Sequence, residues 1–194
     1  MRSLEKFVVE LKKTLNDTMT LDNGLELYVD TKYNEFQHRV TEGPIVSVPA
    51  KYDTGAKPGD TLYFHHLVVV NDGQPLTGVE DHYLVHYHPE QSVSSQAIAY
   101  KDVDGEIHLL SNWTLLEEVE EEKEPQSNEI EIVKLQEDKI TKGRVCFTAP
   151  WLEEVGVEVG DVVGIPVNRD YRITIDGKEY FRTRIDDLLY VEEA

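Results

Sequence analysis

The chain has 194 residues, a hydrophobic content of 40%, a single cysteine (Cys146) and a formal net charge of −19. A chain this long buries roughly 70% of its unfolded surface, so neither a disulfide nor a metal is needed to hold it together, and one cysteine excludes a disulfide within it. The acid excess repels nucleic acid and anionic membranes; solubility is its plain meaning, and it names no partner.

The opening stretch MRSLEKFVVELKK (1–13) alternates charged and apolar residues. It has no continuous apolar core, so neither a secretory signal nor a membrane anchor is expected there. With the lone cysteine this points to a reducing, cytoplasmic setting. KFVVELKK reads as a first strand. The next stretch, 14–42, begins with Thr14, Asn16, Asp17, Thr18, Asp22, Asn23 and Gly24, residues that cannot bury a core. It continues with NGLELYV, which places Leu25, Leu27 and Val29 on one side of an extended chain. A connection of this length is rare in a compact domain unless it is functional. An apolar stripe inside it reads as a docking segment; the alternative is a further hairpin of the fold with those residues in its own core.

Two stretches then repeat. EGPIVSVPA (42–50) followed by GAKPGDTLYF (55–64) is matched by KGRVCFTAP (142–150) followed by GVEVGDVVGI (156–165). Each is a Gly, a short apolar strand, and a Gly-Asp turn into a second apolar strand. A third match pairs DGEIHLLSNWTLLEEVEE (104–121) with DGKEYFRTRIDDLLYVEE (176–193). Three blocks in one order argue for two copies of one fold. The charged, proline-containing EEEKEPQSN (120–128) reads as the junction, giving a first copy at 1–122, a linker at 123–128 and a second copy at 129–194 that opens with EIEIVKL (129–135). Nearly all apolar runs are short, rich in Val, Ile and Tyr, and bounded by Gly, Pro, Asp or Asn, as in small β-barrels or sandwiches. One helical turn is expected in APWLEEVG (149–156). In this frame the first copy carries a long loop (14–42) and an insertion (65–100), and the second replaces the loop with the short QEDKITK (136–142).

The second copy, GRVCFTAP followed by VGVEVGDVVGIPVNRDYRITIDGKEYFRTRIDDLLYVEEA, resembles the body of the GroES-like co-chaperonins. The resemblance covers nearly all of that copy and both ends of the first. It implies an all-β fold of two small GroES-like β-barrels in tandem, no enzymatic activity and no cofactor. It further implies a homo-oligomeric ring, a heptamer by preference, that caps a GroEL-type chaperonin around an unfolded client protein. The family's docking motif, a Gly and an aliphatic tripeptide in a mobile loop, falls on Gly24, Leu25, Glu26 and Leu27, with Tyr28 and Val29 beside it; Glu26 departs from the pattern. By the same resemblance Phe7, Val8 and Val9 and the terminal Leu189, Tyr190 and Val191 are ring-interface residues. An acidic insertion suits the diverged co-chaperonins of bacteriophages, for which the compartment would be the host cytoplasm. A structural assembly protein that keeps the barrel without the chaperonin contact is an alternative.

The insertion also holds FHHLVVV and EDHYLVHYHPEQ. A strand over 80–89 would put His82, His86 and His88 on one face. With His65 or His66 beside them they could bind zinc or iron, as in cupin-like metal enzymes, and a His65, His86 and His88 set is the rival, enzymatic reading. The plain reading is a polar strand face. Ser92, Ser94 and Ser95 lack a nucleophile-elbow context, and Trp113 and Trp151 read as core or interface aromatics.

Overall fold

A computed structural model describes residues 2–21, 23–28, 30, 38–69, 74–91, 94–119, 141–167 and 171–192. Among them the chain is mostly β, with two large antiparallel sheets and one short helix. It divides into two compact units, Met1–Ser111 and Asn112–Ala194.

The first unit contains β1 (Lys6–Glu10), β2 (Thr18–Thr20), β3 (Glu26–Tyr28), β4 (Glu42–Ser47), β5 (Thr61–Phe64), β6 (Gln74–Pro75), β7 (His82–His86), β8 (Ala97–Lys101) and β9 (Ile107–Leu109). Seven of these form one sheet in the order β6-β7-β1-β4-β5-β8-β9, while β2 and β3 form a separate hairpin. The second unit contains β10 (Trp113–Glu118), β11 (Lys142–Phe147), α1 (Pro150–Glu154), β12 (Val162–Gly164), β13 (Tyr171–Ile175), β14 (Lys178–Arg184) and β15 (Tyr190–Glu192). Its sheet runs β13-β14-β10-β11-β12-β15.

Strand by strand the two orders coincide. β1, β4, β5, β6, β7 and β8 correspond to β10 through β15, in the same chain order and with antiparallel pairing throughout; β9 is extra. The detail repeats as well. β1 meets β4 with a register shift between Val8 and Val9, and β10 meets β11 with one between Leu115 and Leu116. In both Gly-Asp turns the two glycines have positive φ: +72° and +100° at Gly55 and Gly59, +82° and +102° at Gly156 and Gly160. Glycine populates that region without steric cost, which is why the spacing recurs. The aspartate closes each turn with its carboxylate: Asp60 accepts from the Lys57 N–H at 2.7 Å, and Asp161 from the Glu158 N–H at 2.9 Å.

The repeat is therefore real, but its frame differs from the sequence reading in three ways. Trp113–Glu118 does not end the first copy. It is the central strand of the second sheet, paired on both sides, with Leu115 and Leu116 fully buried. The second copy thus begins near residue 112, and the expected opening strand 129–135 lies outside the described residues. The third matched block fails for the same reason: Asp104-Gly105 turns β8 into β9, whereas Asp176-Gly177 turns β13 into β14. An Asp-Gly pair marks any tight hairpin and does not say which. Residues 65–100 are likewise no insertion as a whole, since β6, β7 and β8 within them are the counterparts of β13, β14 and β15.

The first unit's core gathers Phe7, Val9, Leu11, Ile45, Leu62, Phe64, Val85, Ala97 and Tyr100 into one cluster. These come from strands near both ends of the sheet order, so the sheet curls around them. In the second unit Leu115, Leu116, Val145, Leu152, Val163, Ile173, Ile175 and Phe181 are buried. The expected helical turn is α1, which starts at Pro150, where a missing N–H costs nothing, and buries Leu152.

Candidate functional site

The connection from β1 to β4 carries the residues singled out for docking. At its base Leu15 bridges Arg39, the Asn16 N–H donates to the His38 carbonyl at 2.6 Å, and the Val40 N–H donates to the Thr14 carbonyl at 3.0 Å. Above this neck β2 and β3 pair Thr18 with Tyr28, Met19 with Leu27 and Thr20 with Glu26. Neither strand is bonded to the large sheet. The reversal spans Leu21 to Leu25. The Leu21 N–H donates to the Leu25 carbonyl at 2.9 Å, the Leu25 N–H to Asn23 Oδ1 at 3.0 Å, and Gly24 has φ +79°.

The tip is apolar and open to solvent. Tyr28 is 85% exposed, Leu25 54% and Leu27 43%. Strand alternation puts Leu25 and Leu27 on one side and Glu26 and Tyr28 on the other. The alternative of a hairpin with its leucines in a core is not what is seen: a hairpin forms, but Leu25, Leu27 and Tyr28 face water. Val29 lies outside the described residues. An isolated two-stranded hairpin is marginally stable in water, so apolar contact elsewhere would add to its order.

The corresponding connection in the second unit, from β10 to β11, spans 119–141. The expectation that the second copy replaces the long loop with QEDKITK is thereby corrected: that reading took 129–135 for the opening strand. Residues 120–140 lie outside the described residues.

The expected ring-interface residues divide. Phe7, Val8 and Val9 are at most 1% exposed, on a strand whose two edges are bonded to β4 and β7, so they form the interior of the unit and offer no edge. Leu189, Tyr190 and Val191 are 63%, 48% and 40% exposed, and β15 is the last strand of its sheet.

The histidine set does not come together. β7 covers only His82–His86, and its register sets His82 opposite Glu10 and His86 opposite Lys6. Burial first, and the Lys6 charge second, hold His86 below its ordinary pKa and disfavour the cation. His65 stacks on His66, its Nδ1 accepting from the Leu67 N–H, while His88 Nδ1 accepts from the Glu90 N–H. Among the described residues the one three-ligand grouping is elsewhere, at Asp102, Glu106 and His108 around the β8–β9 turn. Asp102 accepts from His108 Nε2 at 3.0 Å and from the Asp104 and Glu106 N–H groups. The His108 hydrogen bond is the main cause of its lowered pKa. His108 also stacks on Tyr100, 4.8 Å between ring centres. Turn closure and the hydrogen bond between His108 and Asp102 account for this group.

Cys146 is half-buried, and burial together with Glu117 pushes its thiol up to about 11, which keeps it protonated near neutral pH. No helix among the described residues is long and apolar enough to cross a membrane. No model of a known protein family matches the chain, and no curated protein is significantly similar to it.

Proposed function

We propose that the protein is a co-chaperonin of GroES-like kind, assembling as a ring that caps a GroEL-type chaperonin around an unfolded client protein. The observation that carries the reading is the β2–β3 hairpin. It projects from the β1–β4 connection, where the resemblance expects a docking segment, and it exposes Leu25, Leu27 and Tyr28. The doubled strand order and the doubled Gly-Asp turn support the tandem of small barrels. The exposed edge strand β15, with Leu189, Tyr190 and Val191, is the contact offered to a neighbouring copy.

Docking works through many weak contacts. Fully burying a leucine side chain is worth roughly 1.5–3 kcal/mol, and ordering a marginal hairpin offsets much of that. A ring joins the hairpins, so that after the first has docked the others meet their sites at high effective concentration. Glu26 sits on the side opposite the leucines and need not enter an apolar groove.

The test is capture by a GroEL-type chaperonin with nucleotide. Wild-type protein is retained, and Leu25→Ser with Leu27→Ser abolishes retention while far-UV circular dichroism and assembled mass stay unchanged, because these side chains already face water. Retention of the double variant, or a monomer at micromolar concentration, would overturn the reading. Mass measurement also sets the ring size, for which the resemblance favours seven chains.

A further inference from the structure

We propose that the Arg182–Arg184 face of the second unit is a binding site for a small oxyanion, a phosphate or a carboxylate group. The inference is independent of the co-chaperonin reading.

Arg182 lies on β14, opposite Leu115 of β10 and Tyr171 of β13. It is 3% exposed, and its guanidinium sits 5.3 Å from the Trp113 ring centre and 5.1 Å from that of Tyr171. Arg184, two residues along the same face, is 5.7 Å from the same Trp113 ring. Neither arginine has a carboxylate partner among the described residues. The Trp113 indole N–H in this patch is also buried without an acceptor. The same hairpin gives Arg172 a carboxylate, Glu179 Oε2 at 2.9 Å.

An unpaired cation in a buried position is costly, and stacking on aromatic rings recovers only part of the cost. The fold does not require it: the register equivalent of Arg182 in the first unit is Leu84, opposite Val8. A guanidinium is a planar fork of donors matched to two oxygens of one anion. Two of them over one ring, with Tyr171 half-exposed at the side, gather N–H donors that have no acceptor among the described residues. Loss of water first, and the neighbouring Arg184 charge after it, push the Arg182 pKa down to about 10, and an anion would oppose both.

The experiment measures the thermal midpoint of the full chain in phosphate and in acetate, each against chloride at matched ionic strength. Wild type, Arg184→Gln and Arg182→Leu are compared. With a few charge-assisted hydrogen bonds, half-saturation by the better anion is expected near about 1 mM. Arg184→Gln should raise that concentration at least tenfold, and Arg182→Leu should abolish the response. A response lost in the variants supports the site, and the anion with the lower half-saturation names the class. Equal midpoints in all three salts overturn it, as does a response of the same size in wild type and Arg184→Gln. If Arg182→Leu does not fold, Arg184→Gln alone decides.

Discussion

The two units set the same strands in the same order and put different side chains on them. Val8 and Val9 in the first become Leu115 and Leu116 in the second; Leu84 becomes Arg182. What is shared is what the backbone demands: the positive-φ glycines, the aspartate that closes the turn, the register shift in the central strand, and a glycine where β4 or β11 approaches a neighbour closely. What differs is free to carry function. The first unit uses its β1–β4 connection to present an apolar hairpin, and the second uses its β13–β14 hairpin to gather arginines.

The sharpest way to break this correspondence is to cut the chain. If β10 is the central strand of the second unit, a fragment of residues 112–194 should unfold cooperatively in urea, and one of residues 129–194 should show no transition. The shorter piece leaves β11 and β14 without the strand between them and loses two fully buried leucines, each worth roughly 1.5–3 kcal/mol. Equal stability of the two fragments would return Trp113–Glu118 to the first unit.

A smaller effect sharpens the comparison at the paired glycines. A Cβ on Gly143 would lie 2.8 Å from both Cβ and Cδ1 of the immobile Leu116, so Gly143→Ala should cost about 2–3 kcal/mol. On Gly43 it would meet the end of Leu11 at 2.5 Å and the Glu10 carbonyl at 3.2 Å, with more room to give, and about 1–2 kcal/mol is expected. Gly164→Ala meets only the half-exposed Tyr190 ring, which can swing away; a cost under about 1 kcal/mol follows. Chemical denaturation of the three variants tests the order.

Next come the turn aspartates. Asp60→Ala and Asp161→Ala each remove a charged acceptor from a backbone N–H, worth about 1–2 kcal/mol. Asp60, at 4% exposure, should cost more than the partly exposed Asp161, because its bond to the Lys57 N–H is part-buried while that of Asp161 to the Glu158 N–H is exposed. The reverse order in thermal midpoints would contradict this.

The smallest expected effect is at low pH. Glu117 is held below its ordinary carboxyl pKa, first by its hydrogen bond from Lys178, and Asp102 below its own, first by that from His108. A carboxyl whose folded pKa is lowered stabilises the fold above its ordinary value, and that contribution is lost as pH falls through the folded value. The loss begins below the ordinary 4.5 for Glu117 and 3.8 for Asp102. Both groups are partly exposed and water screens their pairs, so Glu117→Gln should flatten the acid limb of a stability–pH curve only slightly.

Much was legible in the residues themselves. The Gly-x-x-x-Gly-Asp spacing specifies a turn, because only glycine adopts those φ values freely, and both copies of that turn are present. Short apolar runs marked β1, β4 and β11, Pro150 marked the start of α1, and a polar run with Leu25 and Leu27 inside it marked the exposed hairpin. These are local facts, set by φ preference and by a period of two. Partnership between strands is not local. WTLLEE reads as a strand, but nothing in its six residues says whether it closes the sheet before it or opens the one after; Leu115 and Leu116 are buried in the second unit because β11 and β14 lie on either side of them. The reach of β7 is not local either: alternation groups His82, His86 and His88, but the strand ends at His86, and among the described residues no metal-ligand grouping includes them. The setting of Arg182 was invisible, since a charge becomes unusual only when tertiary structure buries it between two rings with no carboxylate beside it among the described residues.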